Sequence, residues 1–262
     1  MSETSIPALL KQLPESVATL EIANPASGKR IYDLPQLTAG EVFAAVARAR
    51  VAQQEWAALG AAERGKRLLA LHDAMFAHES QLLDLLQLET GKSRAHAFEE
   101  FAGAVSAARY YGKIAPKQLK RKRTNSGVPL LTSTWVDHIP IGVVGIVTPW
   151  NYPLALTMLD VSPALAAGNA VVQKIDNQAA LTALFVRKLA ADVGISEDVW
   201  IIVTGDGAEE RVKRLQSMSA DKIAPLVVYL ASDASAFVNG QVVYVDRPGI
   251  VLEDEHPRSN NF

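Results

Sequence analysis

Apolar positions recur every three to four residues through the first half of the chain, then give way to short unbroken apolar runs. Thr38-Ala-Gly-Glu41 opens the first clear helical stretch, because a threonine cap with glutamate three residues on makes a capping box. Behind it Val42, Ala45, Val46, Ala49, Gln53 and Trp56 fall on one helical face. The same period predicts helices over 62–78, 80–90 and 93–112, with Leu68, Leu69, Leu71, Met75, Leu82, Leu85 and Leu86 in a core. Gly91, inside Glu89-Thr-Gly-Lys92, is the expected C-cap between two of these helices.

From residue 143 the period changes. Residues 143–147 form a short β-branched run, expected to be a strand buried on both faces as in a parallel sheet. Residues 170–174 and 200–203 are further strand candidates, and helices are expected over 154–166 and 178–192. That β-α-β-α-β order is half of a doubly wound, Rossmann-like parallel sheet, with right-handed crossovers expected. The fold class is therefore α/β: N-terminal helices, half of a doubly wound parallel sheet, and a short α/β C-terminal tail. Pro149 stops the first strand, and 150–153 turn the chain into the next helix. The amide of Asn151 thus falls just past a strand's carboxyl end, where open α/β sheets place ligands.

The remaining stretches are less regular. Residues 1–20 are expected to be a mobile lead-in with a helical turn or two. Asn24-Pro25 and Ser27-Gly28 mark a turn over 21–28 before a short strand at 29–32. Residues 128–137 alternate in strand fashion through Leu131, Ser133, Trp135 and Asp137. Just before them, Lys117, Lys120, Arg121, Lys122 and Arg123 crowd into one segment without interleaved aromatic residues. A single-stranded nucleic-acid site would use such aromatics for stacking, so the segment is read as a solvated loop.

Composition changes this picture at one point. The 262 residues are 49% apolar with a formal net charge of −2, which makes no electrostatic case for nucleic acid. No apolar run reaches membrane-spanning length, and residues 1–13 lack the basic segment and long apolar core of a secretory signal. A cytoplasmic location is the expectation. The sequence has no cysteine, which excludes disulfides, thiolate metal sites and a cysteine nucleophile within these residues. His72, His78, His96, His138 and His256 lack metal-ligand spacing and a triad context, so no metal site is expected.

Thr148-Pro-Trp-Asn-Tyr-Pro-Leu154 resembles the aldehyde dehydrogenase signature after the first cofactor-domain strand. Pro163-Ala-Leu-Ala-Ala-Gly-Asn-Ala-Val-Val172, the Asn24-Pro25 turn and Glu89-Thr-Gly-Lys92 extend the likeness over roughly residues 20–208, in detail to the semialdehyde-oxidising, succinate-semialdehyde type. The family has a further glycine where this chain has Arg211. Residues 221–246, through Ala231-Ser-Asp233 and Asn239-Gly240, resemble instead the end of a short-chain dehydrogenase/reductase. That family's Tyr-x-x-x-Lys pair and glycine-rich loop are missing. The expected organisation is a truncated aldehyde dehydrogenase cofactor domain over 1–207, a junction over 208–220 and a short-chain dehydrogenase-like segment over 221–262. By resemblance, 128–141 is a hairpin for homo- or hetero-oligomer contacts.

The resemblance implies site residues. Asn151 would donate its amide to the oxyanion formed when a thiolate attacks an aldehyde, work that can be worth roughly 3–4 kcal/mol. The local alternative is that Asn151 caps the following helix. Thr148, Pro149 and Trp150 match the cofactor-facing turn. Lys174 matches a lysine that meets the adenosine ribose, and Asn177 stands where the family carries a glutamate. A glutamate would repel the 2′-phosphate of NADP, whereas Asn177 would not and Lys174 would attract it. Asp176 opposes this if it points the same way. Gly205 and Gly207 match glycines that let backbone approach the cofactor, although Gly-x-Gly after a strand is by itself a weak signal and fits a plain turn equally well.

The parent reaction implied is oxidation of an aldehyde to an acid with NADP or NAD. It needs a thiolate and a general-base glutamate, and serine is a poor replacement without an adjacent base. The chain is therefore expected to be inactive as it stands, with NADP or NAD bound weakly or not at all. The alternatives are a catalytically dead NAD(P)-binding module and an interaction fragment that co-assembles with a full-length homologue. No membrane or nucleic-acid partner is expected.

Overall fold

In a computed structural model, residues 6–128, 132–205, 243–245 and 250–252 are described. The chain divides into two units, Met1–Asp206 and Gly207–Phe262.

The first unit opens differently from the expected mobile lead-in. Helix α1 (Ile6–Leu10) packs against a later helix, α7 (Ala180–Asp192), with Leu9 and Leu13 buried. Gln12 fixes this arrangement by donating to Leu184 O at 3.1 Å and accepting from the buried Arg187. The turn expected over 21–28 is shorter, because β1 (Thr19–Ala23) pairs antiparallel with β2 (Arg30–Pro35). Asn24 makes the turn between them, its Oδ1 accepting the amides of Ala26 and Ser27 at 3.0 and 2.9 Å.

Four helices follow: α2 (Ala39–Ala58), α3 (Gly60–Ala77), α4 (Glu79–Thr90) and α5 (Arg94–Gln118). The Thr38–Glu41 capping box starts α2, and Gly91 ends α4 in the left-handed conformation. Helix α5 does not stop at Gly112 as expected. Gly112 lies where α5 crosses α3, and a Cβ there would sit 2.9 Å from Gly65 O. The glycine permits close backbone approach, so the helix runs on through Pro116. The cationic segment is solvated but only partly a loop: Lys117 lies in the last turn of α5, Lys120 and Arg121 lie in the connection, and Lys122 and Arg123 begin strand β3 (Lys122–Thr124), all five exposed. β3 pairs antiparallel with β4 (Thr134–Val136) in an exposed two-stranded hairpin.

The parallel sheet has the order β5-β6-β7: β5 (Val143–Thr148), β6 (Ala170–Ile175) and β7 (Trp200–Val203). Helix α6 (Pro153–Ala167) connects the first two, and a 3-10 turn (Asn177–Ala179) with α7 connects the last two. β6 is central. Its period-two alternation sends Val171 and Ile175 into the main core with α6 and α7, while Ala170 and Val172 pack on Ala45 and Ala49 of α2. Among the described residues β5 lies at an edge of this sheet and is not buried on both faces, with Ile146 and Thr148 buried and Val147 79% exposed. Its apolar composition could not reveal this, because burial depends on neighbours across the sheet.

The second unit contributes β8 (Val243–Val245), paired antiparallel with β9 (Ile250–Leu252). The expected junction over 208–220, and all of the expected segment over 221–262 except these two strands, lie outside the described residues.

Candidate cofactor edge of the parallel sheet

The strand register brings three strand ends to one edge. Thr148 pairs with Ile175, and Lys174 pairs with both Val147 and Val203. Parallel sheets bind ligands at this carboxyl edge. Thr148, Lys174, Asn177 and Gly205 therefore gather there, with Pro149, Trp150 and Asn151 on the turn leaving β5. Gly207 lies outside the described residues.

A buried amide holds the end of β5. Gln173 donates through Nε2 to Thr148 Oγ1 at 2.9 Å and to Thr157 Oγ1 at 2.7 Å, and accepts from Trp200 Nε1 at 2.9 Å. These groups are fully or almost fully buried, and each meets a partner, as buried polar atoms must. The carbonyl of Thr148 accepts Asp176 N at 3.0 Å, tying β5 to the start of the next loop.

The turn after β5 leaves Trp150, Asn151 and Tyr152 exposed. Helix α6 starts at Pro153, a favoured first position for proline. Its N-cap is Tyr152 and no side chain of the cap closes it, so Asn151 does not cap this helix. The cap comes from α5: Glu100 Oε1 accepts Leu154 N at 2.7 Å and Ala155 N at 3.2 Å. Glu100 Oε2 is ion-paired with Lys92, whose ammonium lies 4.1 Å from the centre of the Tyr152 ring.

The next helix is built alike. Glu89 of α4 accepts the amides of Leu181 and Thr182 at 2.7 and 2.9 Å, and also the hydroxyls of Thr182 and Tyr32. Burial pushes Glu89 up to about 7, against four hydrogen bonds that pull it down. The Tyr32 phenol is held far above its usual range by burial first and by Glu89 beside it second. A helix N-terminus ordinarily offers free amides to a phosphate. Here a protein carboxylate already occupies both.

Around β6 and β7 the polar side chains are also engaged. Asp176 accepts Gln178 N at 2.9 Å, which turns its carboxylate onto its own 3-10 turn. Asn177 donates to Gln36 Oε1 and accepts Gly205 N, both at 3.4 Å. Thr204 donates to Pro35 O at 2.6 Å. Among the described residues no three His, Asp or Glu side chains group as metal ligands, and no helix is long and apolar enough to cross a membrane.

Glu89, Glu100 and Gln173 were not candidates from sequence. Glu100 did carry a signal, since it interrupts the buried stripe Ala97, Phe101, Ala104 and Ala108. A carboxylate on an apolar stripe asks for a buried partner.

The aldehyde dehydrogenase family model matches residues 13–224. The chain belongs to the aldehyde dehydrogenase family. It is 41% identical over 182 residues to a putative NADP-dependent succinate-semialdehyde dehydrogenase of Mycolicibacterium smegmatis, a match covering 70% of this chain and 35% of that protein. Among solved structures, a putative aldehyde dehydrogenase from Burkholderia cenocepacia is 36% identical with a TM-score of 0.70, covering 75% of this chain and 40% of that one. A betaine aldehyde dehydrogenase from Staphylococcus aureus in complex with NAD+ is 29% identical with a TM-score of 0.70, covering 74% and 40%. The chain thus spans about a third of the length of the curated relative. The family match runs on past Gly207 to residue 224, into the segment read from sequence as a different family. None of these comparisons supports a short-chain dehydrogenase tail.

Proposed function

We propose that this chain carries the dinucleotide-binding part of an NAD(P)-dependent aldehyde dehydrogenase of the semialdehyde-oxidising type. The observation that carries the reading is the shared register of β5, β6 and β7, which sets the Asn151 turn beside Lys174, Asn177 and Gly205. The donor set fits a nicotinamide dinucleotide. Lys174 stands one residue before the end of β6, and the Asp176 carboxylate is bound to Gln178 N. Lys174 would hold the ribose side beside the neutral Asn177, whose buried amide is held by Gln36 and Gly205, with the backbone of Thr148, Pro149, Trp150, Gly205 and Gly207 as the remaining proposed contacts. The bound dinucleotide supplies hydride acceptance. With the N-termini of α6 and α7 already filled by Glu100 and Glu89, neither helix start is free to hold its phosphates.

Asn151 is the proposed oxyanion donor, because it stands beside the strand end and is released from capping. The 262 residues contain no thiol to generate that oxyanion. Oxidation of an aldehyde therefore needs a nucleophile from outside them, and this chain by itself is the non-turning-over binding module. The exposed β3–β4 hairpin supports association with another copy or a homologue, since a two-stranded hairpin alone is marginal in water. The reading of 221–262 as a short-chain dehydrogenase-like segment joined at 208–220 rests on sequence alone, and the family match overlaps its first residues.

Calorimetric titration of the full chain tests the reading. NADP is expected to bind at least as well as NAD, because position 177 carries a neutral amide where a glutamate would repel the 2′-phosphate. Asn177→Glu is expected to weaken NADP roughly tenfold or more relative to NAD. No reduced cofactor is expected with succinate semialdehyde. Binding of neither dinucleotide, or a clear NAD preference in the unaltered chain, would overturn the ribose assignment.

A further inference from the structure

We propose that Glu100, backed by Lys92, is a positioning residue that fixes the 149–153 turn and thereby the side-chain amide of Asn151. Both ends of this turn are anchored. At one end Thr148 is held through its hydroxyl by Gln173 and through its carbonyl by the amide of Asp176. At the other, one oxygen of Glu100 accepts the amides of Leu154 and Ala155. Pro149 and Pro153 have ring-locked φ angles, so the freedom left is concentrated in Trp150, Asn151 and Tyr152. The Tyr152 ring in turn lies under the Lys92 ammonium.

The cap's origin carries the functional argument. An asparagine just before a helix would ordinarily cap it. Here the cap is supplied by a residue 54 positions earlier in the chain, whose side chain is fully buried. That carboxylate is tolerable inside because it meets two amides and the Lys92 ammonium together, at the positive end of a helix. Capping from α5 relieves Asn151 of that duty and leaves its amide for a reacting oxygen. The consequence for Asn151 rests on the proposed oxyanion role; the clamp itself does not.

Fluorine NMR of the full chain labelled with 5-fluorotryptophan tests the clamp, with the Trp150 line assigned by Trp150→Phe. The other three tryptophans serve as internal controls for the rest of the fold. In Lys92→Met and Glu100→Ala the Trp150 line is expected to shift or split while the lines of the buried Trp56 and Trp200 stay in place. Exchange of the Leu154 and Ala155 amides should quicken roughly tenfold, and Lys92→Arg should restore both readouts. If Glu100→Ala does not fold, Lys92→Met decides. An unchanged Trp150 line with unchanged exchange in Lys92→Met overturns the proposal, as does equal movement of the Trp56 and Trp200 lines, which would mean general loosening. These readouts need no dinucleotide, so the clamp is decided even if NADP titration of the wild type shows that the cofactor reading is wrong.

Discussion

The phenol of Tyr32 donates to Glu89 Oε1 at 2.8 Å, joining strand β2 to a carboxylate that also takes the first free amides of α7. One buried residue of α4 thus connects the N-terminal hairpin, the helical layer and the connection between β6 and β7. Its protonation has a direction. The folded value of about 7 lies above the ordinary 4.5, so the folded state holds the proton more tightly. The resulting stability is fully present below about pH 4.5 and is lost as pH rises through about 7. Between about pH 5 and about pH 8 the unfolding free energy of the wild type, measured by urea titration, should therefore fall, by up to roughly 3 kcal/mol from this group. Glu89→Gln should flatten that slope, and a slope unchanged in the variant would remove Glu89 as its source.

Gly65 and Gly112 let α3 and α5 touch through their backbones. A Cβ on Gly65 would lie 2.5 Å from Gly112 O, and one on Gly112 would lie 2.9 Å from Gly65 O. Alanine at either site should destabilise the fold by about 1–3 kcal/mol, overriding its better helix propensity. Gly103, on the same helix α5, is the control. Its Cβ would meet only Ala155 Cβ at 4.0 Å, so Gly103→Ala should stabilise by about 0.5–1 kcal/mol. Thermal unfolding of the three variants checks this opposition in sign.

Gln173→Leu keeps apolar bulk in the core but strands the hydroxyls of Thr148 and Thr157 and the indole N–H of Trp200. Each stranded group costs about 1–3 kcal/mol, so for the three a loss of at least about 3 kcal/mol is expected. The loss should be larger than for Gln173→Glu, which can still accept from Trp200. Denaturant titration of both variants measures the difference. Equal losses would mean that the indole bond carries no special weight.

Much of the architecture was legible because it follows from local rules. The Thr38–Glu41 capping box, the left-handed Gly91 and the helical stripe through Leu68, Leu71 and Met75 each depend on neighbours within a turn or two. The β-α-β-α-β order, and with it the convergence of Thr148, Lys174 and Asn177 on one edge, followed from the order of apolar runs. The motif from Thr148 to Leu154 pointed to the family that the comparison then established.

What sequence alone decided was therefore the kind and order of the long helices and of the parallel strands, the family, and the absence of any thiol among the 262 residues. Tertiary structure decided the rest, because it depends on partners far apart in the chain. Gly112 marks a helix end by its residue type alone, yet it lies inside α5 with Gly65 packed against it. The run at 143–147 is apolar enough for burial on both faces, but the sheet order among the described residues puts it at an edge. Asn151 has the chemistry of a cap, but Glu100 fills that role from α5. Glu89 and Glu100 are ordinary helix residues by composition. They act on α7 and α6 only because folding carries their carboxylates to amides that sequence distance hides, and burial makes such partners necessary.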